Sequence, residues 1–158
     1  MNSSFRLQIP LTQSNQIIAQ QLGQKSHPGQ RRQIIHNILA VYAVHNYLEL
    51  LGIESSPIDS ELFRSTIQSL PNVGDLQVKN LGKLECRGIA ASDEKNSKSY
   101  DVPPEACTNR IGYIFVTVNE SFNQAEIIGF TKSITENPFP IEKLKPAEEL
   151  IAQLHKLS

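Results

Sequence analysis

The chain contains 158 residues, of which 39% are hydrophobic and 20% are charged. This length and composition predict one domain, over residues 1–158, with an ordinary hydrophobic core, and they exclude a chain that is mostly disordered. The formal net charge of −1 gives no argument from bulk charge for binding nucleic acid or an acidic membrane. The sequence also contains no run of about 18 apolar residues, so we expect no membrane-spanning helix.

The charges are unevenly distributed along the chain. No acidic residue precedes Glu49, whereas the same part of the chain contains four basic residues, Arg6, Lys25, Arg31 and Arg32. Weak binding of nucleic acid through this basic N-terminal arm is therefore one alternative function. Solvated protein surfaces often carry such an imbalance, so nucleic acid is not the expected partner.

Cys86 and Cys107 are the only cysteines in the chain. The first residues include no apolar segment of the kind that a secretory signal requires. We therefore expect two thiols in a reducing compartment, the cytoplasm.

The N-terminal part of the chain, about residues 11–70, is predicted to be helical and to follow one short strand. Residues 5–9 alternate between apolar and polar side chains, which is typical of a half-buried edge strand. Thr12 is a candidate N-cap for the first helix, and Gly23 is a candidate stop.

The second predicted helix is the one on which the rest of the chain is expected to pack. Residues Ile34–Glu54 are apolar nearly all round at helical spacing, as in a buried helix. We expect this helix to run to Leu51 and to end where Gly52 adopts a left-handed conformation. A third helix is expected to begin at Pro57 or Asp59 and to end near residue 70.

From about residue 71 to residue 135, the apolar period changes to the two-residue period of strands. The predicted strands are Val73–Val78, Lys83–Ile89, Arg110–Val118 and Ala125–Thr131. Leu84 and Cys86 are expected to face inward in the second of these, and the third should be central because both its faces are apolar. The charged and Ser-rich segment Ser92–Ser99 is expected to be a mobile loop.

The C-terminal segment, about residues 141–157, is predicted to form an amphipathic helix after a stiff Pro-containing connector. Its apolar stripe includes Leu144, Leu150, Ile151 and Leu154. Together, these patterns predict an α+β fold. In it, the N-terminal helices pack on a small, bent antiparallel sheet of about five strands, as in an SH3-like barrel.

Several blocks of the sequence resemble a cyanobacterial family that is known as domain of unknown function 1822. These blocks are Ile35–Glu54, Asp75–Arg87, Val102–Val118 and Ile127–Phe130. The resemblance implies no assigned activity and no catalytic residues. Genes of the family can lie near sigma-factor-like or caspase-like genes, which implies a role in signalling. Many members have a tryptophan where Cys107 stands here, so the resemblance makes Cys107 a poor candidate for a nucleophile.

A small enzyme is the alternative of a different class. His45 and Glu49 stand four residues apart on one helical face, a spacing that suits a general base and the carboxylate that orients it. Cys107, close to Arg110 in a predicted loop, would be the nucleophile. Two ligands are too few for a metal, and His36 points to about the opposite face of the helix, so we expect no metal site and no cofactor.

The function expected from the sequence is a non-enzymatic module that binds a partner protein and acts in regulation, either in signalling or in transcription control. Its candidate binding surfaces are the last helix and a stiff Pro-Pro turn. The residues assigned to them are Leu144, Leu150, Ile151, Leu154, Pro103, Pro104 and Arg110.

Overall fold

A computed structural model gives the conformation of the chain and describes residues 7–24, 29, 31–57, 75–94 and 98–158. The third predicted helix lies outside these residues. The elements in chain order are β1 (Leu7–Pro10), α1 (Gln13–Gln24), α2 (Arg31–Leu50), β2 (Ser55–Pro57), β3 (Asp75–Val78), β4 (Gly82–Ala90), α3 (Ala91–Glu94), β5 (Ser99–Tyr100), β6 (Gly112–Val118), β7 (Gln124–Thr131), β8 (Phe139–Pro140) and α4 (Ala147–Leu157). The fold is therefore mixed α+β, as predicted. The single domain over residues 1–158 stays a prediction.

Among the described residues, six strands form one curled sheet, a half-barrel, in the order β1-β7-β6-β4-β3-β2. Neighbouring strands are antiparallel except for β4 and β6, which run parallel. The predicted antiparallel sheet is therefore wrong in this respect, and the parallel pair distinguishes the fold from an SH3-like barrel. Alternation of side chains shows that a segment is a strand but does not show the direction of its neighbour.

The predicted boundaries of the elements differ most from the observed ones where the chain forms short helical turns. Part of the expected loop at Ser92–Ser99 belongs to the one-turn helix α3, and residues 95–97 lie outside the described part. The last helix was predicted to begin at about residue 141, but it begins at Ala147. Residues Ile141–Lys143 form a separate 3₁₀ turn. Strand β1 lies at one end of the sheet, as predicted for an edge strand, and it includes Pro10, which pairs with Gln124.

Local signals set the ends of α1 and α2. The Oγ1 atom of Thr12 accepts a hydrogen bond from the backbone N–H of Asn15 at 3.1 Å, and Asn15 Oδ1 accepts one from the N–H of Thr12 at 3.1 Å. This reciprocal arrangement is a capping box. At the end of α2, Gly52 has a φ of 75°, and the N–H of Ile53 donates to the carbonyl of Leu48 at 2.9 Å. Both predicted termini are confirmed, and the second is a Schellman motif.

The backbone of α2 lies directly on β4 at Gly88. A Cβ atom at this position would be 2.0 Å from the carbonyl oxygen of His36, so only glycine fits. The N–H of Gly88 donates to Asn37 Oδ1 at 2.9 Å, and its carbonyl accepts a hydrogen bond from Gln33 Nε2 at 3.0 Å. Two side chains of α2 thus satisfy the backbone groups that a neighbouring strand would otherwise pair.

The main hydrophobic core lies between α2 and one face of the sheet. Leu84 and Cys86 are fully buried in it, as predicted from their alternation. Helix α4 closes the same core alongside β7. Its other members include Ile34, Ile38, Leu39, Val41, Val44, Leu48, Leu76, Ile114, Val116, Ile127, Phe130, Leu150 and Leu154.

A second, smaller core covers the opposite face of the sheet. It contains Tyr100, Val102, Ala106, Tyr113 and Phe115. The connection from β4 to β6, residues 91–111, supplies the first three of these residues. This connection, here called the crossover, therefore covers that face of the sheet. The cover is closed by β8, which pairs with β5. Asn137, close to β8, also bonds both backbone groups of Val102 through its side chain, at 3.0 and 2.6 Å.

We predict that Gly88→Ala destabilises the protein by at least about 3 kcal/mol, because the added methyl group meets backbone rather than a movable side chain. Gly52→Ala is the matched control. No atom lies within 4 Å of a Cβ at Gly52, so only its positive φ opposes the change, at about 1–2 kcal/mol. Urea unfolding of both variants measures the difference. Equal losses of stability would contradict the close packing at Gly88.

Candidate functional site

The three predicted catalytic residues do not come together. His45 Nε2 lies 3.3 Å from Glu49 Oε2, and His45 Nδ1 lies 2.9 Å from Ser55 Oγ, so this pair contacts as its spacing predicts. Cys107, in contrast, packs against the second core, on the face of the sheet opposite to α2. Its thiol donates to the carbonyl oxygens of Pro103 at 3.4 Å and Val102 at 3.7 Å. The sheet therefore separates the thiol from the proposed base.

The described part of the chain contains no group of three histidine, cysteine, aspartate or glutamate side chains that could hold a metal ion. In the same ranges, no helix is long and apolar enough to cross a membrane.

The sheet places a row of charged side chains under the second core. Asp75 of β3 pairs in register with Glu85 of β4, and Glu85 pairs with Tyr113 of β6. All three side chains lie on one face, because residues that are paired directly opposite each other project from the same face of a sheet. Glu85 is fully buried, and the side chain of Asp75 is only 4% exposed. Two carboxylates therefore lie opposite each other in the interior.

Two arginines neutralise these carboxylates. Arg110 binds Asp75 through two hydrogen bonds, Nε to Oδ1 at 2.7 Å and Nη2 to Oδ2 at 3.1 Å. Its Nε also lies 3.8 Å from Glu85 Oε1, and Arg87 Nη1 lies 3.4 Å from Glu85 Oε2. The chain of contacts Asp75–Arg110–Glu85–Arg87, here called the buried ion row, alternates in sign and has no net charge. Such pairing is the condition under which charges are tolerated inside a protein.

Burial shifts the pKa values of three groups on the two faces of the sheet. Burial, followed by the proximity of Cys107, raises the pKa of Tyr113 to about 12. Burial also raises the pKa of Cys86 well above its ordinary value, so this thiol stays protonated. Desolvation lowers the pKa of Arg87, and the carboxylate of Glu85 opposes that shift. The pairing of opposite charges along the buried ion row suits a structural tie between the crossover and the sheet.

The sequence alone did not reveal the buried ion row. Glu85 and Arg87 alternate with the inward-facing Leu84 and Cys86, and this pattern is identical to that of a strand with one face in solvent. What buries the outer face is the crossover, whose covering role depends on the parallel pairing of β4 with β6. In the sequence, the burial of this face is indicated only by two small apolar residues of the crossover, Val102 and Ala106.

The predicted partner-binding residues of the last helix belong to the interior. Leu150 and Leu154 are 1% and 2% exposed and lie in the main core. Ile151 is partly buried against the same core. Leu144 precedes α4 and packs against the second core. The apolar stripe of the last helix therefore packs mainly within the fold, where Leu150 and Leu154 are buried and Leu144 and Ile151 are partly buried.

The Pro-Pro turn is only partly accessible. Pro104 is exposed, whereas Pro103 is half-buried at the start of the 3₁₀ turn Pro104–Ala106. Arg110, which was predicted to bind a partner, instead belongs to the buried ion row, and its side chain is only 7% exposed. Its Nη1 also donates to the carbonyl of Thr108 at 2.9 Å.

The basic arm is described at two of its four positions. Arg31 donates from Nε to the carbonyl of Gly23 at 3.3 Å. Arg32 lies 3.7 Å from Asp93, and both side chains are more than half exposed. Arg6 and Lys25 lie outside the described residues. The two described arginines are therefore already engaged with parts of this chain.

The most exposed large apolar side chain of the described residues is Leu50, which is 79% exposed at the end of α2. The next residue, Leu51, is 47% exposed. Leu50 borders a groove of about 380 Å³, here called the α2 groove, which lies between the last turn of α2 and the corner that joins β1 to α1. Its other walls include Ile9, Pro10, Leu11, Asn46 and Glu49.

His36 is a second histidine of α2, and it is buried at 5% exposure. Its Nδ1 lies 2.7 Å from the carbonyl oxygen of Arg32. A carbonyl only accepts, so Nδ1 carries the proton and Nε2 is unprotonated in the neutral ring. Burial lowers the pKa of His36, and the Arg32 guanidinium adds to this; the bond to the Arg32 carbonyl and the carboxylate of Asp93 oppose it. The ring is therefore neutral at neutral pH.

We predict that Arg110→Met destabilises the protein by about 3–5 kcal/mol at neutral pH, because it leaves two buried carboxylates facing each other. Arg32→Met is the matched control. The Arg32 side chain is 68% exposed, so its loss should change the free energy of unfolding by no more than about 0.5 kcal/mol. Chemical denaturation measures both variants. An Arg110→Met protein as stable as Arg32→Met would contradict the ion row.

We also predict that stability falls with the pH between about pH 7.5 and pH 5.5. The pKa of His36 lies below 6.5 in the folded chain, so the unfolded chain binds more protons as the pH falls through this value, and unfolding is favoured. Denaturation at several pH values measures the slope. It should be smaller in His36→Asn and retained in His155→Asn, an exposed position on α4. Equal slopes in all three proteins would contradict the assignment.

Comparisons with known proteins extend over nearly all of the structure described above. No curated protein and no solved structure matches the chain. A family model described as "Protein of unknown function (DUF1822)" matches residues 9–157. This range includes α2, the sheet with its buried ion row, and α4. The chain therefore belongs to the DUF1822 family.

Proposed function

We propose that this protein is a non-enzymatic module that binds a partner protein and acts in regulation, in signalling or in transcription control. The observation that carries the proposal is the exposure of Leu50 beside the α2 groove. Full burial of a leucine side chain contributes about 1.5–3 kcal/mol, and this leucine leaves most of that contribution unused in the isolated chain. A partner that covers it gains this free energy.

The α2 groove has the composition of a small interaction site. Ile9, Pro10 and Leu11 form an apolar wall, and the capping box between Thr12 and Asn15 holds the corner of the chain that carries this wall. Binding sites of this kind commonly accept one apolar or aromatic side chain as the anchor of a larger interface. The groove of about 380 Å³ accommodates one such side chain.

The rim of the groove carries a negative charge. The Glu49 side chain is 74% exposed, and among the described residues its ion-pair partner is His45. A lysine or arginine of the partner that lies next to the apolar anchor would pair with this carboxylate. We therefore propose a partner segment with one large apolar residue and one neighbouring basic residue.

An enzymatic role receives less support. The candidate nucleophile Cys107 lies on one face of the sheet, and the candidate pair His45 and Glu49 lies on the other. Burial raises the pKa of Tyr113, on the same face as Cys107, to about 12. The proposal includes no cofactor and no nucleic acid, and its compartment is the cytoplasm.

Selection of peptides from a displayed library on the immobilised protein tests this proposal. We predict that the selected peptides share an apolar residue next to a lysine or arginine. Leu50→Lys should lower the affinity of these peptides for the protein by more than about tenfold, because the substitution removes the apolar contact and repels the basic residue of the peptide. Lysine suits the end of a helix, so the variant should fold.

The matched control is Ile17→Lys, which changes a 49% exposed side chain on α1 outside the groove. It should alter the affinity by no more than about twofold. The proposal fails if the selected peptides bind Leu50→Lys as tightly as they bind the unmodified protein.

A further inference from the structure

A cavity of about 320 Å³ lies at the other end of α2, between its first turns, the end of β4 with α3, and the hairpin that joins β6 to β7. Much of its wall is apolar and is formed by Ala90, Ala91, Val118 and Phe122. The buried ring of His36 also lines it. Ligand sites in proteins commonly combine an apolar wall with a few placed polar groups.

His36 offers one hydrogen-bond acceptor to this cavity. Its Nδ1–H is committed to the carbonyl of Arg32 at 2.7 Å, which leaves a lone pair on Nε2. Nε2 has no hydrogen-bond partner among the described residues. Nε2 is not among the side-chain atoms that the protein seals from solvent, so it is accessible from the cavity, and a ligand with a donor would bond to it in place of water.

Phe122 is held in an unusual backbone conformation beside this ring. Its φ is 59°, in the left-handed region that bulky residues rarely adopt. The turn keeps it there, because the N–H of Phe122 donates to the carbonyl of Asn119 at 3.0 Å. The Phe122 ring meets the His36 ring edge to face, with centroids 5.6 Å apart. Backbone strain of this kind is found preferentially at functional sites.

The remaining polar groups lie at the rim or are already bonded. Asn119 Oδ1 accepts hydrogen bonds from the N–H groups of Asn123 and Gln124, and its Nδ2 donates to Asn123 Oδ1. Arg32, Ser92 and Glu120 line the cavity with exposed side chains, and Arg32 pairs with Asp93. The interior of the cavity therefore presents one acceptor, surrounded by apolar atoms.

We propose that this cavity binds a small, largely apolar ring compound that carries one N–H or O–H donor, and that the donor bonds to Nε2 of His36. The site is separate from the α2 groove, because Leu50 lies about 21 Å from His36 along the helix. The inference does not rest on the proposed function.

The test uses the full chain with isotopically labelled histidine and three probes, phenol, indole and toluene. Ring-nitrogen NMR at neutral pH should show His36 protonated at Nδ1, and His36→Asn identifies the signal by removing it. Phenol and indole should shift the Nε2 resonance in a saturable manner. Toluene has nearly the size of phenol but no donor, so it should leave Nε2 unshifted and bind about tenfold more weakly.

A variant that fills the cavity provides a second measurement. Ala91→Phe adds a ring at the wall without changing His36, and it should abolish the shift caused by phenol and indole. Ala152→Phe, on the exposed side of α4 and away from the cavity, should leave it unchanged. The proposal is overturned if His36 is protonated at Nε2, if toluene binds as tightly as phenol, or if neither donor probe shifts Nε2 up to millimolar concentration.

Discussion

The backbone of α2 rests against β4 at Gly88, where the carbonyl oxygen of His36 occupies the space of an absent Cβ atom. Three other features depend on this contact. Gln33 and Asn37 reach the backbone of β4 only at this short distance, so their side chains can form hydrogen bonds with the carbonyl and N–H groups of Gly88. The main core closes beneath the helix. His36 is held with its ring buried against the hairpin that carries Phe122.

The opposite face of the sheet is organised by charge rather than by apolar packing alone. Asp75 and Glu85 are neighbours in register, an arrangement that repulsion would disfavour without Arg110 between them. Arg110 lies at the end of the crossover, so its bonds to Asp75 tie that segment to the sheet. Burial on this face also raises the pKa of Tyr113 to about 12.

The features predicted correctly from the sequence are those with a local cause. Thr12 caps a helix through its own neighbours, and Gly52 ends one because its conformation is available to glycine. The burial of Leu84 and Cys86 follows from alternation. The role of Glu85 depends on a segment that returns over the sheet, and the burial of Leu150 depends on β7, so neither follows from local pattern. Exposure of Leu50 is also a tertiary property.

The parallel pairing of β4 with β6 has a consequence for the order in which the chain folds. Strands β6 and β7 are joined by a short turn, so their pairing costs little loop entropy, whereas residues 91–111 separate β4 from β6 in the chain, so the pairing of these two strands costs more. Without β4, one edge of the apolar strand β6 would have no neighbour, and such edges promote aggregation. In the folded protein, the bonds between Arg110 and Asp75 hold the end of the crossover on the sheet, directly before β6 begins. The buried ion row therefore stabilises the folded state in which β4 covers this edge of β6.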